Sequence, residues 1–157
     1  MNSDQINMKD SELSDTSGLV RKVVESQYFA VLGSDDKGKP YTNLVAFAAS
    51  PDLKYLVFIT SRNTHKYRNL IQNSQVCLLI DNRANSSKDI NKAIAVTALG
   101  SAHEEVGRES GLYSIFVQRH PYLIRFASDK DSAIIAVAVS EYIVAGFEKT
   151  QMIVIRN

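Results

Sequence analysis

The chain has 157 residues, 45% of them hydrophobic and 22% charged, enough for one domain with a sizeable core. The formal net charge of +1 excludes a broadly basic nucleic-acid surface, and no stretch is apolar for long enough to span a bilayer. The opening Met1-Asn2-Ser3-Asp4-Gln5 lacks the basic-then-apolar order of a signal peptide, and the single cysteine, Cys77, rules out an intrachain disulfide and fits a reducing, cytoplasmic setting.

In chain order, residues 1–14 are polar and mildly acidic and read as a flexible N-terminal segment, with one domain over 15–157. Residues 17–26 read as a helix with Leu19, Val20, Val23 and Val24 on one side. Residues 28–33 form a first strand. A turn around Gly38 then makes a hairpin with a second strand over 41–49. That strand is apolar at nearly every position, which predicts burial on both faces, with Asn43 the polar exception. Residues 50–54 turn the chain into a third strand, 55–60. Residues 76–80 are a fourth strand, in which Cys77 reads as a small buried hydrophobe. A polar loop over 81–92 leads to a long strand, 93–106, bent near Gly100. Residues 107–119 switch to a helical period, with Leu112, Ile115, Phe116 and Arg119 on one face. His120-Pro121 interrupts that helix, His120 capping it or meeting solvent, and 122–127 form a second short one. Residues 133–147 are another apolar strand region, broken around Ser140-Glu141, and 151–155 close the chain. About six or seven strands joined mostly by short turns, without β-α-β alternation, predict a mainly β fold: an antiparallel β-barrel with peripheral helices.

The chemistry concentrates where the third strand gives way to a helix. Asn63 or Thr64 serves as N-cap, and Tyr67, Leu70 and Ile71 make an apolar face. Arg62, His65, Lys66 and Arg68 crowd the start, where the helix dipole already carries partial positive charge. Each cation there is disfavoured by roughly 0.3–1 kcal/mol. An anion reverses that sign. Free backbone N–H groups, the hydroxyls of Thr60, Ser61 and Thr64, and the Lys66 ammonium are then placed to converge on a phosphate. A solvated basic turn is the competing account. Elsewhere no catalytic set assembles. His103-Glu104-Glu105 lacks the second histidine of a helical zinc motif, there is no Gly-rich dinucleotide loop, and aromatics do not interleave with Lys and Arg as nucleic-acid platforms do.

The run Phe58-Ile59-Thr60, a basic loop, and Thr64-His65-Lys66-Tyr67-Arg68-Asn69-Leu70 resembles the signature of the pyridoxamine 5′-phosphate oxidase-like family, the FMN-binding split barrels. The order of elements is similar too, over roughly residues 20–147. The resemblance implies a six- to seven-stranded antiparallel split β-barrel, a homodimer with FMN at the subunit interface, and a small-molecule substrate or electron donor, with no nucleic acid or membrane partner. By position it places Thr60, Thr64, His65 and Lys66 at the phosphate end, with Ser61 and Arg62 nearby. Asn43, Leu44, Val45 and Ala46 would line the ring through their backbone, and Val45, Phe47 and Ile59 would form an apolar wall. Residues 93–100 and the segment around Gly146-Phe147-Glu148 would approach from the other subunit. Two departures stand out. Asn43-Leu44 replaces an arginine that the oxidases proper carry, and the C-terminus has no Arg-x-His motif, so vitamin B6 oxidation is not supported. The implied activity is an FMN-dependent oxidoreductase. The alternative is a non-catalytic flavin, F420 or haem binding or sensing protein on the same barrel, with His65 or His120 as the first haem ligand candidates.

Overall fold

The computed structural model describes residues 3–147 and 150–154, with side chains over 15–147. Met1, Asn2, Glu148 and the expected strand end at Ile155 lie outside the described residues. The strands are β1 (Phe29–Asp36), β2 (Lys39–Ala49), β3 (Tyr55–Ser61), β4 (Gln75–Asp81), β5 (Ala95–Glu105), β6 (Ser132–Ala145) and β7 (Thr150–Val154). The helices are α1 (Ser3–Ser26), α2 (His65–Gln72), α3 (Asp89–Lys92), α4 (Gly111–Arg119) and α5 (Ile124–Ser128), the last preceded by a 3₁₀ turn at Pro121–Leu123. The helix expected from residue 17 thus starts at Ser3 and runs unbroken through the boundary placed after residue 14. A short helix, α3, also interrupts the expected 81–92 loop.

All strand pairs are antiparallel, in the order β3-β2-β1-β4-β5-β6-β7, and β3 also pairs with β6. That pairing closes six strands into a barrel. β6 serves two partners on one edge: residues Ser132 to Ala138 pair with β3, and Glu141 to Ala145 pair with β7. The inward residues alternate along each strand and fill the barrel with Leu32, Val45, Phe47, Leu56, Phe58, Leu78, Ile80, Val96 and Ile135. Burying each such side chain is worth about 1.5–3 kcal/mol. Val20, Val23 and Val24 of α1 join this core as α1 packs across β2, β4, β5, β6 and β7. A second, smaller core forms outside the barrel, where Phe116 and Ala127 cover Ala48, Val57, Ile59 and Ile134.

Three local devices shape the ring. The β1–β2 hairpin turns through Lys37 (φ 54°) and Gly38 (φ 85°), a pair of left-handed residues matched to strand twist. The β2–β3 turn holds Leu53 at φ 60° with its side chain buried in the core and its carbonyl accepting from Tyr142 Oη at 2.8 Å. The third is a bulge: Leu99 faces Glu141 but Gly100 faces Val139, so Ser140 is the extra residue. Before it Ile135, Val137 and Val139 point into the core; after it Tyr142 and Val144 do. The expected break at Ser140-Glu141 is therefore a change of phase within one continuous strand, and the expected bend near Gly100 is its counterpart on β5.

The expectation that residues 41–49 are buried on both faces fails. Tyr41, Asn43, Val45 and Phe47 share the inner phase, but on the outer phase Thr42 is exposed and Leu44 is 66% exposed. Leu44 begins a row of direct register partners across five strands: Leu44, Val31, Leu79, Thr97 and Ile143. None of the five belongs to either buried core. Cys77 lies on this outer face, half-buried instead of in the core.

Candidate functional site

β2 and β3 pair only at Phe47–Phe58, Ala48–Val57 and Ala49–Leu56. Beyond Phe58 the two strands part, and the barrel is split there. Phe47 N–H donates to Tyr28 C=O, so odd positions of β2 turn their backbone toward β1. By antiparallel alternation Leu44 and Ala46 turn theirs into the split, opposite Ile59 of β3. Of the four β2 residues expected to line a ring, Leu44 and Ala46 therefore present free backbone groups. Val45 is committed to the core. Asn43 points its side chain inward, where Oδ1 is buried without a hydrogen-bond partner.

α2 begins at the lip of this split. Thr64 is its N-cap (φ −89°, ψ 155°), and its Oγ1 accepts from Tyr67 N–H at 3.3 Å while donating to Ser61 C=O at 2.8 Å. Thr60 Oγ1 sits 3.1 Å from Thr64 Oγ1, and Ser61 Oγ accepts from Asn63 N–H. The hydroxyls of Thr60 and Thr64 thus build the cap; Ser61 keeps its own O–H to donate. Arg68 N–H closes the first helical bond, to Thr64 C=O, and Tyr67 N–H is capped. The backbone N–H groups of His65 and Lys66 have no acceptor among the described residues, and both point out of the helix start.

The four cations differ sharply. Arg62 donates to the Lys130 and Ser132 carbonyls at 2.8 and 3.0 Å and pairs with Glu104; the Glu104 carboxylate raises its pKa further. His65 Nε2 lies 3.1 Å from Asp36 Oδ2, with its ring 4.6 Å from that of Tyr41. Arg68 reaches the Asn63 carbonyl at 3.5 Å. Lys66 is half-buried and has no hydrogen bond or ion pair among the described residues; burial lowers its pKa. An unpaired ammonium, two free N–H groups and the positive end of a helix dipole make one anion-ready turn. Arg62, which the resemblance sets near the phosphate, is held by an acid and two carbonyls.

Sequence reasoning missed the partners that seat α2. Asn69 is buried and its Nδ2 donates to Ser34 Oγ at 3.2 Å; Tyr67 Oη donates to Glu104 Oε2 at 2.7 Å; His65 meets Asp36. These contacts turn Ile71 outward, 63% exposed, and replace it by Asn69 on the buried face. A signal did exist. Ser34 and Asp36 continue the inward phase of Ala30 and Leu32, and Glu104 continues that of Val96 and Ala98; polar groups in an inward phase imply partners. His120 is the C-cap of α4, its backbone N–H donating to the Phe116 carbonyl, but its ring is buried instead of meeting solvent, with Nε2 2.7 Å from the Phe47 carbonyl oxygen. His103 pairs with Glu105 at 2.9 Å. Among the described residues no group of three or more His, Cys, Asp or Glu is arranged to hold a metal, and no helix is long and apolar enough to cross a membrane.

A six-stranded ring opened between two neighbouring strands, with a basic helix start at the opening, defines a split β-barrel. The profile of the pyridoxamine 5′-phosphate oxidase family matches residues 17–143, and the chain belongs to that family. Among solved structures it is similar to a heme binding protein from Mycobacterium smegmatis (16% identity, TM-score 0.76, covering 85% of this chain and 55% of that one). It is similar also to the general stress protein 26 of Bacillus anthracis (18% identity, TM-score 0.66, 85% and 94%) and to a FAD-binding protein from Mesorhizobium loti (14% identity, TM-score 0.64, 82% and 90%). The chain thus spans little more than half of the mycobacterial protein, and at these identities the likeness is one of fold. No curated protein matches the chain.

Proposed function

We propose that this protein is an FMN-dependent oxidoreductase that works as a homodimer. The observation that carries the reading is Lys66: a half-buried ammonium without a partner among the described residues, beside two backbone N–H groups unused among them at a helix start. A phosphate monoester supplies the missing acceptor for all three. The residues fit a flavin in a second respect, since Leu44, Ala46 and Ile59 leave backbone donors and acceptors along the split, where the polar edge of a flat heterocycle finds partners.

When bound, the flavin supplies the redox chemistry. The chain's own contribution is to hold it. Lys66 and the N–H groups of His65 and Lys66 take the phosphate, with the Ser61 hydroxyl beside them. Thr60 and Thr64 fix the helix start that aims those groups, while the Ile59 side chain is held in the second core and faces the split with its backbone alone. The outer row from Leu44 to Ile143 supports a second copy as the partner, because a row of that kind left in water is an unfavourable surface for a soluble chain. Haem is less well supported as the cofactor: His65, His103 and His120 each have Nε2 engaged, by Asp36, Glu105 and the Phe47 carbonyl, which leaves only Nδ1 of each ring for an axial bond.

The test is an absorbance spectrum of the purified protein, followed by titration of the stripped protein with FMN and gel filtration with light scattering. Flavin bands, a dimer mass, and reduction of the bound flavin by a nicotinamide donor are expected. Lys66→Ala should weaken FMN by about 1.5–3 kcal/mol, the worth of a charge-assisted hydrogen bond, which is roughly 10- to 150-fold in Kd. A colourless protein with no affinity for FMN overturns the reading.

A further inference from the structure

We propose that Glu104 is the positioning residue of the phosphate turn, an inference that rests on the flavin reading above. Its two carboxylate oxygens hold two different donors, Arg62 through Oε1 and Tyr67 through Oε2. Those donors bracket the segment that carries the anion site: Arg62 lies just before the Thr64 cap, Tyr67 just after Lys66. One carboxylate at the end of β5 therefore ties both ends of a six-residue stretch to the barrel wall. The Arg62 guanidinium extends the tie to the start of β6 through the Ser132 carbonyl and to the turn before it through the Lys130 carbonyl, and Arg62 N–H adds a backbone bond to the Asp131 carbonyl. The free N–H groups and Lys66 point where they do because this clasp fixes the roll and height of the first turn of α2.

The clasp also settles the charge at the site. Glu104 neutralises Arg62 and Asp36 faces His65, so the ligand meets the Lys66 ammonium, the dipole and the exposed Arg68, whose guanidinium bonds only the Asn63 carbonyl among the described residues, rather than four uncompensated cations. Two opposite expectations then follow for Glu104→Gln. If Glu104 acted only as a counter-charge, its loss would free Arg62 and strengthen binding of a phosphate-bearing ligand. If it orients the turn, the same substitution weakens that ligand despite the added positive charge.

The experiment is flavin titration of the stripped full-length protein with FMN and with riboflavin, which lacks the phosphate, for wild type, Glu104→Gln and Tyr67→Phe. The expected result for Glu104→Gln is an FMN Kd raised about tenfold or more with riboflavin affinity within about twofold of wild type. Tyr67→Phe keeps the ion pair, removes one donor, and should give a smaller loss in the same direction; it carries the test alone should Glu104→Gln fail to fold. An equal loss of FMN and riboflavin overturns the proposal in favour of a general packing role, and unchanged or tighter FMN binding overturns it in favour of a counter-charge. Wild-type protein that binds neither flavin overturns the flavin reading and this inference with it, whereas normal FMN binding by the variants overturns the inference alone.

Discussion

Gly100 is the sharpest test of the barrel. A Cβ added there meets the Ala138 carbonyl oxygen at 2.3 Å, Val137 Cγ1 at 2.9 Å and the Ala138 carbonyl carbon at 3.0 Å. Two of these three atoms are backbone of the neighbouring strand, at the bulge, and cannot rotate aside. Reaching ordinary contact requires β5 and β6 to part by about 1 Å, and these strands share the longest pairing in the barrel. Overpacking of this kind costs about 1–3 kcal/mol; rigid backbone neighbours place Gly100→Ala near 3 kcal/mol. For a chain of this size that lowers Tm by about 6–12 °C. Gly111→Ala is the control: it adds a Cβ with nothing within 4 Å at the start of α4 and should change stability by less than about 0.5 kcal/mol. Circular dichroism melts of the two variants beside the parent decide the matter. Equal melting temperatures for Gly100→Ala and the parent would refute the claim that the bulge leaves no room for a side chain.

Three further outcomes follow. Tyr142→Phe removes the buried hydroxyl that donates to the Leu53 carbonyl and should destabilise by about 1 kcal/mol, read as a lower urea midpoint with unchanged slope. Thr64→Ala deletes the α2 cap and should cost about 1 kcal/mol of stability and also weaken FMN in titration. The pH effects have opposite signs. Burial pushes the Glu104 carboxyl up, but the Tyr67 hydroxyl and the Arg62 guanidinium together bring it below its usual 4.5. Its stabilisation is therefore complete above about pH 4.5 and is lost as pH falls through the lower folded value; wild type and Glu104→Gln should differ in stability at pH 6 and converge in acid. Burial holds the Lys66 ammonium below its usual 10.5, and a bound phosphate restores it, so phosphate-ligand binding takes up protons in that range. FMN affinity should then fall as pH rises through the free-protein value, below pH 10.5, and Lys66→Ala should flatten that profile.

The barrel was legible because its strands carry their burial in a period of two and its turns carry Gly38 and Pro51. The start of α2 was legible because Thr64 has a capping side chain and the crowded cations contradicted the dipole. What the sequence concealed was relational. Nothing local separates Arg62, clasped by a residue 42 positions away, from Lys66, which has no partner among the described residues. A continuous apolar run over residues 41–49 looks the same whether its outer face is covered by its own chain or stands open, so Leu44 was misjudged. Ser140-Glu141 resembled a break because two polar residues in an apolar strand give no hint that the strand continues in the opposite phase. Asn69 was passed over because a helical face is read by apolar residues, and the buried member here is an amide bonded to Ser34.

Ser140 has a wider effect than its single side chain suggests. Because it is supernumerary, Ile143 looks outward and completes the five-strand row, while Tyr142 reaches inward to clasp the Leu53 corner. Deleting it would restore uninterrupted pleating and invert everything downstream, turning Tyr142 and Val144 to solvent and Ile143 into the packed interior. One inserted residue thus lets a single ribbon line the interior on both sides of the offset, through Ile135, Val137 and Val139 before it and Tyr142 and Val144 after it, so the barrel's filling and its outer surface are tied to the same position.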